Sequence, residues 1–581
     1  VSISPLRWAW ATVWQAHPTF VALATAGALL RAAIPVAMVW VGKLVIDAVV
    51  AHDADAVLRA IAMEAALSAA MLVVESLQGH AMGLLYYRAS WHGSTLMLDR
   101  AARAPFAKFE DPAFHDAMQR ALPEASGRPM AVVNHSLALG GAVVALVGSV
   151  GLLANVSALI GLAMIVSALP RFATDRWFQR AWFHMMSARS TRMRELAWFD
   201  EALTAPVPAR EVRVFGLADR LLAARRALFE PTWREDLSLA SRRTVASGAA
   251  SALSAAIMVG LHLAVGLAAV RGELTVGDIT LVLTAFQTGE GAISRLLQSA
   301  GELSEDRLYL GHVLRWFEVS EPEDLSGATA GPTPGDGLRF EAVSFRYPGA
   351  PTDALADLTL HIPPGQKTAL VGVNGAGKTT LIKLALGLYQ PTAGRLTFDG
   401  LDVRAWSPAA LRARMSALFQ DFVRYPHTLT ENVTLGADGP PDALADALRL
   451  GLADGVAAEL PRGADTRMGR AFEGGVDLSG GQWQRVALAR ALYRSNAVLT
   501  LLDEPTAAMD PEAEIAVMRG VLANVRGAVL LVTHRFSAVR LADHVLVLEG
   551  GRLVEQGDHA ALMARDGRYA ELYRLQADAY H

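Results

Sequence analysis

Hydrophobic positions along the chain follow two different rhythms. Up to Leu303 they gather in long runs, and from Gly337 onward they come in short bursts separated by polar turns. Phe20–Val41 is apolar apart from Arg31, with a kink predicted at Pro35. A membrane-spanning helix needs about 20 such residues, so this run reads as a first span. Ala60–Leu85 reads as a second and holds Glu64 and Glu75. Ala131–Leu169 is long enough for two, turning near Asn155, and Thr244–Val270 and Ile279–Leu303 bring the predicted set to six. Several of the six are weak because alanine dominates them. Short polar stretches, His52–Asp55 and Arg271–Asp278, separate neighbouring runs. Ahead of them all, Pro5–Ala16 sets Trp8, Trp10 and Trp14 beside Arg7. An indole-rich helix of this kind suits a membrane interface, and an amphipathic core helix fits the same pattern.

The connections between the runs are unequal. Arg88–Met130 carries Arg88, Arg100, Arg103, Lys108, Arg120 and Arg128, and Arg171–Arg243 is also long and arginine-rich. Positive residues stay on the cytoplasmic side, which places both connections, the first residue and everything after the sixth run in the cytoplasm. Glu318–Gly337 is rich in Pro, Gly, Glu and Thr and reads as a linker. Beyond it, short Val/Leu-rich strands alternate with helices, the pattern of an α/β domain around a mostly parallel sheet. The expected division is an all-α polytopic membrane domain at 1–317, a linker at 318–336 and the α/β domain at 337–581.

Composition sharpens this picture. At 581 residues the chain is too long for one core. Hydrophobic residues make up 52% and charged residues 19%, averages that suit a membrane part joined to a water-soluble part. A net charge of -4 gives no basic field to attract nucleic acid. There is no cysteine, so disulfides, thiolate metal sites and thiol nucleophiles are all excluded. The beginning of the sequence lacks the basic region, apolar core and cleavage site of a signal peptide.

The chemistry concentrates at Gly372, Val373, Asn374, Gly375, Ala376, Gly377, Lys378, Thr379 and Thr380, which fit the phosphate-cradling pattern G-x-x-x-x-G-K-[ST]. An apolar strand, Lys367–Val371, leads in and a helix, Leu381–Leu386, leads out. Small residues let backbone N–H groups converge on phosphate, and the helix N-terminus adds positive potential. Lys378 is placed to bridge the β- and γ-phosphates of ATP, and the Thr379 hydroxyl to ligate Mg²⁺. A second strand, Asn496–Asp503, ends in two carboxylates. Asp503 would hold Mg²⁺ through water and Glu504 would polarise the attacking water. Leu478, Ser479, Gly480, Gly481 and Gln482 head the helical run Trp483–Tyr493, a second anion site at a helix N-terminus. Two phosphate-binding surfaces on one chain are both used if two chains face each other head to tail.

With these motifs in order, the chain resembles an ATP-binding cassette (ABC) transporter of the exporter-type half-transporter kind, six membrane helices fused to a P-loop NTPase domain with a helical subdomain. The resemblance extends over nearly the whole chain and assigns further nucleotide contacts. Tyr347 matches the aromatic that stacks on adenine. Gln420 matches the glutamine that senses Mg²⁺ and the attacking water, and His534 the histidine that contacts the γ-phosphate. Asp510 matches the aspartate of the loop that crosses the dimer interface, although Ala507-Ala508-Met509-Asp510 stands where the family usually has S-A-L-D. Similar exporters dock short loop-tip helices into the ATP-binding domains; these are expected within Phe109–Arg120 and near Ala205–Phe215, where solvated helical linkers are the other reading. The segments Arg470–Asp477 and Phe109–Arg120 look like transporters of bacterial peptide natural products, including lanthipeptide exporters.

The resemblance implies an ATPase in a bacterial cytoplasmic membrane, working as a homodimer that exports a peptide or amphipathic natural product. A heterodimer with a second chain is the alternative assembly, and a lipid flippase, a multidrug exporter or an importer on the exporter fold has the same sequence grammar. A soluble ABC ATPase acting on DNA or ribosomes does not fit six apolar runs. No trimming of cargo is expected, because the first apolar run starts at Phe20 and no cysteine is present. Glu64 and Glu75 are eleven residues apart and share a helical face, and Glu290 lies in the sixth run. They are read either as structural partners of Arg31 and of one another, or as an acidic cavity wall that selects cationic cargo.

Overall fold

The computed structural model describes residues 4–437, 439–440, 442–470, 472–507, 509 and 511–579. It divides into two compact units, Val1–Ala102 with Ala113–Glu321, and Arg103–Pro112 with Pro322–His581. Ten helices precede the first strand: α1 Pro5–Ala16, α2 Pro18–Val50, α3 Ala54–Ala102, α4 Phe106–Phe109, α5 Pro112–Ala154, α6 Ala158–Ala188, α7 Ser190–Thr204, α8 Pro206–Val214, α9 Ala218–Val270 and α10 Val276–Val319. All but α4 lie in the first unit.

Four of the predicted apolar runs each fall inside one of these helices and Ala131–Leu169 divides between α5 and α6, but the helices are far longer than the runs. Polar continuations extend α3 to Ala102 and start α9 at Ala218, since an amphipathic stretch outside hydrocarbon keeps its helix when it can pack. Helix α2 continues through Pro35. The break expected near Asn155 is the turn between α5 and α6, where the Ser157 hydroxyl caps the new helix by accepting from Leu159 N–H. Among the described residues, four helices are long and apolar enough to cross a membrane: α2, α3, α5 and α9.

Apolar helices gain little from hiding apolar surface in lipid, so close approach of small residues must hold them together. Gly148 of α5 lies against Val36 of α2, and Gly289 of α10 against Met164 of α6. Gly93 of α3 is packed directly on the Ala125 carbonyl of α5. Beyond the apolar runs, charge takes over. Arg189, 3% exposed, bonds Glu235, Asp236 and the Thr232 carbonyl of α9. Asp306 of α10, 1% exposed, takes Arg128 and His135 of α5.

The second unit holds two sheets. β1 Leu338–Phe345, β2 Leu355–Ile362, β4 Ala393–Phe398 and β5 Leu401–Asp402 form an antiparallel sheet in the order β2-β1-β4-β5. β3 Lys367–Val371, β6 Met415–Leu418, β7 Leu499–Asp503, β8 Ala528–Val532, β9 His544–Glu549 and β10 Arg552–Gly557 form the other, ordered β10-β9-β3-β8-β7-β6. Only the β10–β9 pair in it is antiparallel. Its helices are α11 Lys378–Ala385, α12 Pro408–Ala413, α13 Leu429–Thr434, α14 Ala443–Leu450, α15 Asp454–Glu459, α16 Gly480–Tyr493, α17 Pro511–Asn524, α18 Phe536–Val539, α19 His559–Arg565 and α20 Arg568–Ala579. β3, β7 and β8 are buried almost throughout, as continuous apolar strands of a parallel sheet must be. Helices α13 to α16 share a smaller core around Trp483 and Val486, the helical subdomain that the resemblance implied.

The stretch read as a linker is pinned to this unit. Glu323 pairs with Arg412 at 2.7 Å, Ser407 donates to the Leu325 carbonyl, and Ala328 bridges to Trp406. The first loop-tip helix is α4, slightly earlier than the expected Phe109–Arg120, which mostly forms the start of α5. Pro112 looks like a breaker, yet it opens α5, a position where the missing N–H costs nothing. The second expected segment, Ala205–Phe215, contains α8.

A methyl group at Gly93 has no room, so Gly93→Ala should destabilise the first unit by about 1–3 kcal/mol, the usual range for overpacking. Thermal unfolding in detergent should show a lowered midpoint, whereas Gly79→Ala, where nothing lies within 4 Å of an added Cβ, should leave it nearly unchanged.

Candidate active site

Four parallel strands deliver their C-terminal ends to one edge of the six-stranded sheet. The glycine-rich loop follows β3, Gln420 lies two residues beyond β6, Asp503 and Glu504 close β7, and His534 lies two residues beyond β8. In such sheets ligands collect where strand carboxyl ends meet helix N-termini.

The loop from Gly372 to Gly377 wraps the start of α11. Gly377 has φ +102° and an added Cβ would strike Leu355 and the Ala354 carbonyl, while one at Gly372 would strike the Leu548 carbonyl. Only glycine lets the backbone pass here. Lys378 Nζ donates to the Gly372 and Val373 carbonyls at 2.7 and 3.0 Å. Burial lowers the Lys378 ammonium from its ordinary pKa, against the pull of Glu504 and Asp503.

Asp503 is 4% exposed. Burial and the neighbouring Glu504 push its pKa up to about 6, while Lys378 and a hydrogen bond with Thr379 pull it down. The buried Asp503 carboxylate, the Thr379 hydroxyl and the Gln420 amide oxygen are hard oxygen donors of the kind a divalent cation takes. Thr379, Asp503 and the Gln420 side chain are the residues that fit it.

Glu504 sits at φ +48°, a left-handed conformation that costs a non-glycine residue about 1–2 kcal/mol. Such strain gathers at functional sites. The twist turns its carboxylate towards two partners: Gln420 Nε2 donates to Oε2 at 3.4 Å, and His534 Nδ1 lies 3.1 Å from Oε1. Two residues read separately from the sequence thus converge on the carboxylate of a third. Tyr347 lies to the side, its hydroxyl 3.0 Å from Thr380 Oγ1. Ser479 caps α16, accepting from Gln482 N–H while Gln482 accepts from Ser479 N–H, and Gly480 and Gly481 form the first turn between them. The Gln482 amide also donates to Glu459. Asp510 lies outside the described residues.

Sequence reading missed the residues that support these. Gln484 donates to the Glu504 carbonyl at 2.9 Å. Arg535 bonds the Ala507 and Met509 carbonyls and pairs with Glu514, which is 1% exposed. Gln576 of α20 donates to the His534 carbonyl. A further cluster lies beside Tyr347, whose ring meets Tyr389 edge-on at 5.4 Å. Glu110, just after α4, accepts from Tyr389 and pairs with Lys383 at 2.5 Å. Burial opposes its ionisation, but Lys383 and Tyr389 hold Glu110 below its ordinary pKa. A polar residue in an apolar helical run was the only signal for Gln484; the rest needed the fold.

Glu75 pairs with Arg31 at 3.4 Å, as one of the two sequence readings had it. Glu64 and Glu290 have no ion-pair partner among the described residues.

Residues 355–507 match the family model described as ABC transporter. The chain is 34% identical over 372 residues to an ATP-dependent lipid A-core flippase of Chromobacterium violaceum, covering 63% of this chain and 62% of that protein. It is 37% identical over 317 residues to a sophorolipid transporter of Starmerella bombicola, covering 53% of this chain and 24% of the other. These matches span less than two thirds of the relatives' own length. The fold is that of a solved bacterial Atm1-family ABC exporter with ATP bound, with a TM-score of 0.75 at 24% identity, over 96% of this chain and 98% of that one.

Arg535→Met leaves Glu514 charged and buried without its partner, a change that costs about 3–5 kcal/mol. The thermal unfolding midpoint of the full chain should fall clearly; an unchanged midpoint would mean that Glu514 finds another cation.

Proposed function

We propose that two copies of this chain form an ATP-driven membrane transporter that moves a lipid-like amphipathic substrate. The observation that carries the reading is the Glu504 carboxylate, turned towards Gln420 and His534 at the strand end beside the phosphate loop. The ABC transporter match over 355–507 supports ATP hydrolysis, and the four long apolar helices support a multi-pass membrane location with the ATP site in the cytoplasm. The division at 1–317, 318–336 and 337–581, the count of six spans with α6 and α10 as the remaining two, and the homodimer belong to this proposal.

The relatives' printed substrates, lipid A-core and sophorolipid, support a lipid in preference to a peptide. A lipid would expose its headgroup to polar positions of the helices and its chains to apolar ones, and Glu64, Glu75 and Glu290 are the proposed polar positions.

In the proposed reaction the N–H groups of Gly372–Gly377 and the Lys378 ammonium seat the phosphates, and Tyr347 packs on the base. Glu504 orients water in line with the γ-phosphate and takes its proton, His534 holds the Glu504 carboxylate and contacts the γ-phosphate, and Gln420 fixes the other carboxylate oxygen. Mg²⁺, held by Thr379, Asp503 and Gln420, would neutralise developing phosphate charge. Ser479 and the first turn of α16 would close over the phosphates bound to the second chain, making each site composite. Asp510 belongs to the same proposed interface.

The test is reconstitution of the purified chain in vesicles with fluorescent lipids, peptides and drugs presented in parallel. ATP-dependent translocation of lipid is the expected result, and transport of peptide alone would overturn the substrate. Glu504→Gln should keep ATP binding and lose roughly 10²-fold or more in turnover, the scale of a missing general base; near-normal turnover would remove Glu504 from its role.

A further inference from the structure

We propose that Gln484 is a positioning residue that links the two ATP sites of a dimer, holding the Glu504 backbone of its own chain from the helix whose first turn meets the other site's phosphates. The inference rests on the composite-site reading above and deepens it.

Glu504 is held at both of its peptide groups. Its N–H donates to the Val532 carbonyl of β8 at 2.9 Å, and its carbonyl accepts from Gln484 Nε2 at 2.9 Å. The first anchor is a central strand that packing keeps in place. The second is a side chain on α16, five residues beyond the cap Ser479, and it is 6% exposed. Five residues of helix span about 7.5 Å, so the cap and the anchor belong to one rigid rod.

A buried side-chain amide must find a hydrogen-bond partner, and its own helix supplies the nearest backbone. Gln484 instead reaches a strained residue on another element. At φ +48° the Glu504 backbone has few ways to keep its carboxylate towards Gln420 and His534, so a small movement of its carbonyl re-aims the carboxylate. Seating phosphates on the first turn of α16 shifts or stiffens that rod, and Gln484 passes the change to the carboxylate that activates water in its own site. Occupancy of one site thereby sets the hydrolytic geometry of the other.

The test uses the full chain in detergent or vesicles, comparing wild type with Gln484→Leu and Gln484→Glu. Glu keeps the length of the side chain, Leu is one atom shorter, and both lose the amide donor. Wild type should hydrolyse ATP with a Hill coefficient above 1. Each variant should lose roughly 10- to 100-fold in kcat, the scale of a misplaced catalytic group, with half-saturation by ATP nearly unchanged and a Hill coefficient close to 1. Loss of turnover with cooperativity intact would overturn the link between sites, as would wild-type turnover in both variants. Parallel loss of ATP binding and of thermal stability in both would mark Gln484 as structural only. No ATPase activity in wild type would instead count against the composite-site reading itself.

Discussion

The arrangement of the site depends on one constraint, the parallel pairing of β8 between β3 and β7. Register places Leu370 beside Val532, and Val532 beside Asp503. With that pairing the phosphate loop, the two carboxylates and His534 emerge at one level, although more than a hundred residues separate the first from the others. β6 adds Gln420 by pairing with β7 from Met415 to Leu418. A slip of one residue in any pair would turn alternate side chains to the opposite face. The apolar continuity of these strands therefore serves both the core and the site.

That constraint also separates what the sequence could disclose from what it could not. The glycine loop and its strand were legible because their chemistry is local, and β3 spans the predicted Lys367–Val371. β7 begins at Leu499, later than the expected Asn496, because apolar residues ahead of a strand resemble the strand itself. The partners of Glu504 needed strand order, which no local pattern records; motif resemblance supplied Gln420 and His534, a polar position in an apolar helical run was the one hint of Gln484, and nothing supplied Arg535. In the first unit, apolar runs located the helices but not their ends. Hydropathy reports where lipid is, whereas helix length follows from packing and capping.

The Glu504 conformation shows how the levels interact. A non-glycine residue in the left-handed region is a local conflict, and it persists only where the surroundings outweigh it. Here the surroundings are named: the Val532 carbonyl, the Gln484 amide, and two side chains on the carboxylate. They come from β8 and the loop after it, from α16 and from the loop after β6, so the conformation depends on the assembled domain and would not survive in the isolated strand.

Charge in the helical unit obeys a different solvent. Arg189 with Glu235 and Asp236, and Arg128 and His135 with Asp306, join helices as multi-residue clusters. Such clusters withstand burial because the buried member, Arg189 or Asp306, has several partners. The Arg31–Glu75 pair is sparser, one contact between two half-exposed side chains on α2 and α3. A carboxylate at lipid depth costs about 2.5–3.5 kcal/mol by insertion scales, so Glu64 of α3, without an ion partner among the described residues, would face protein or water where α3 crosses a bilayer.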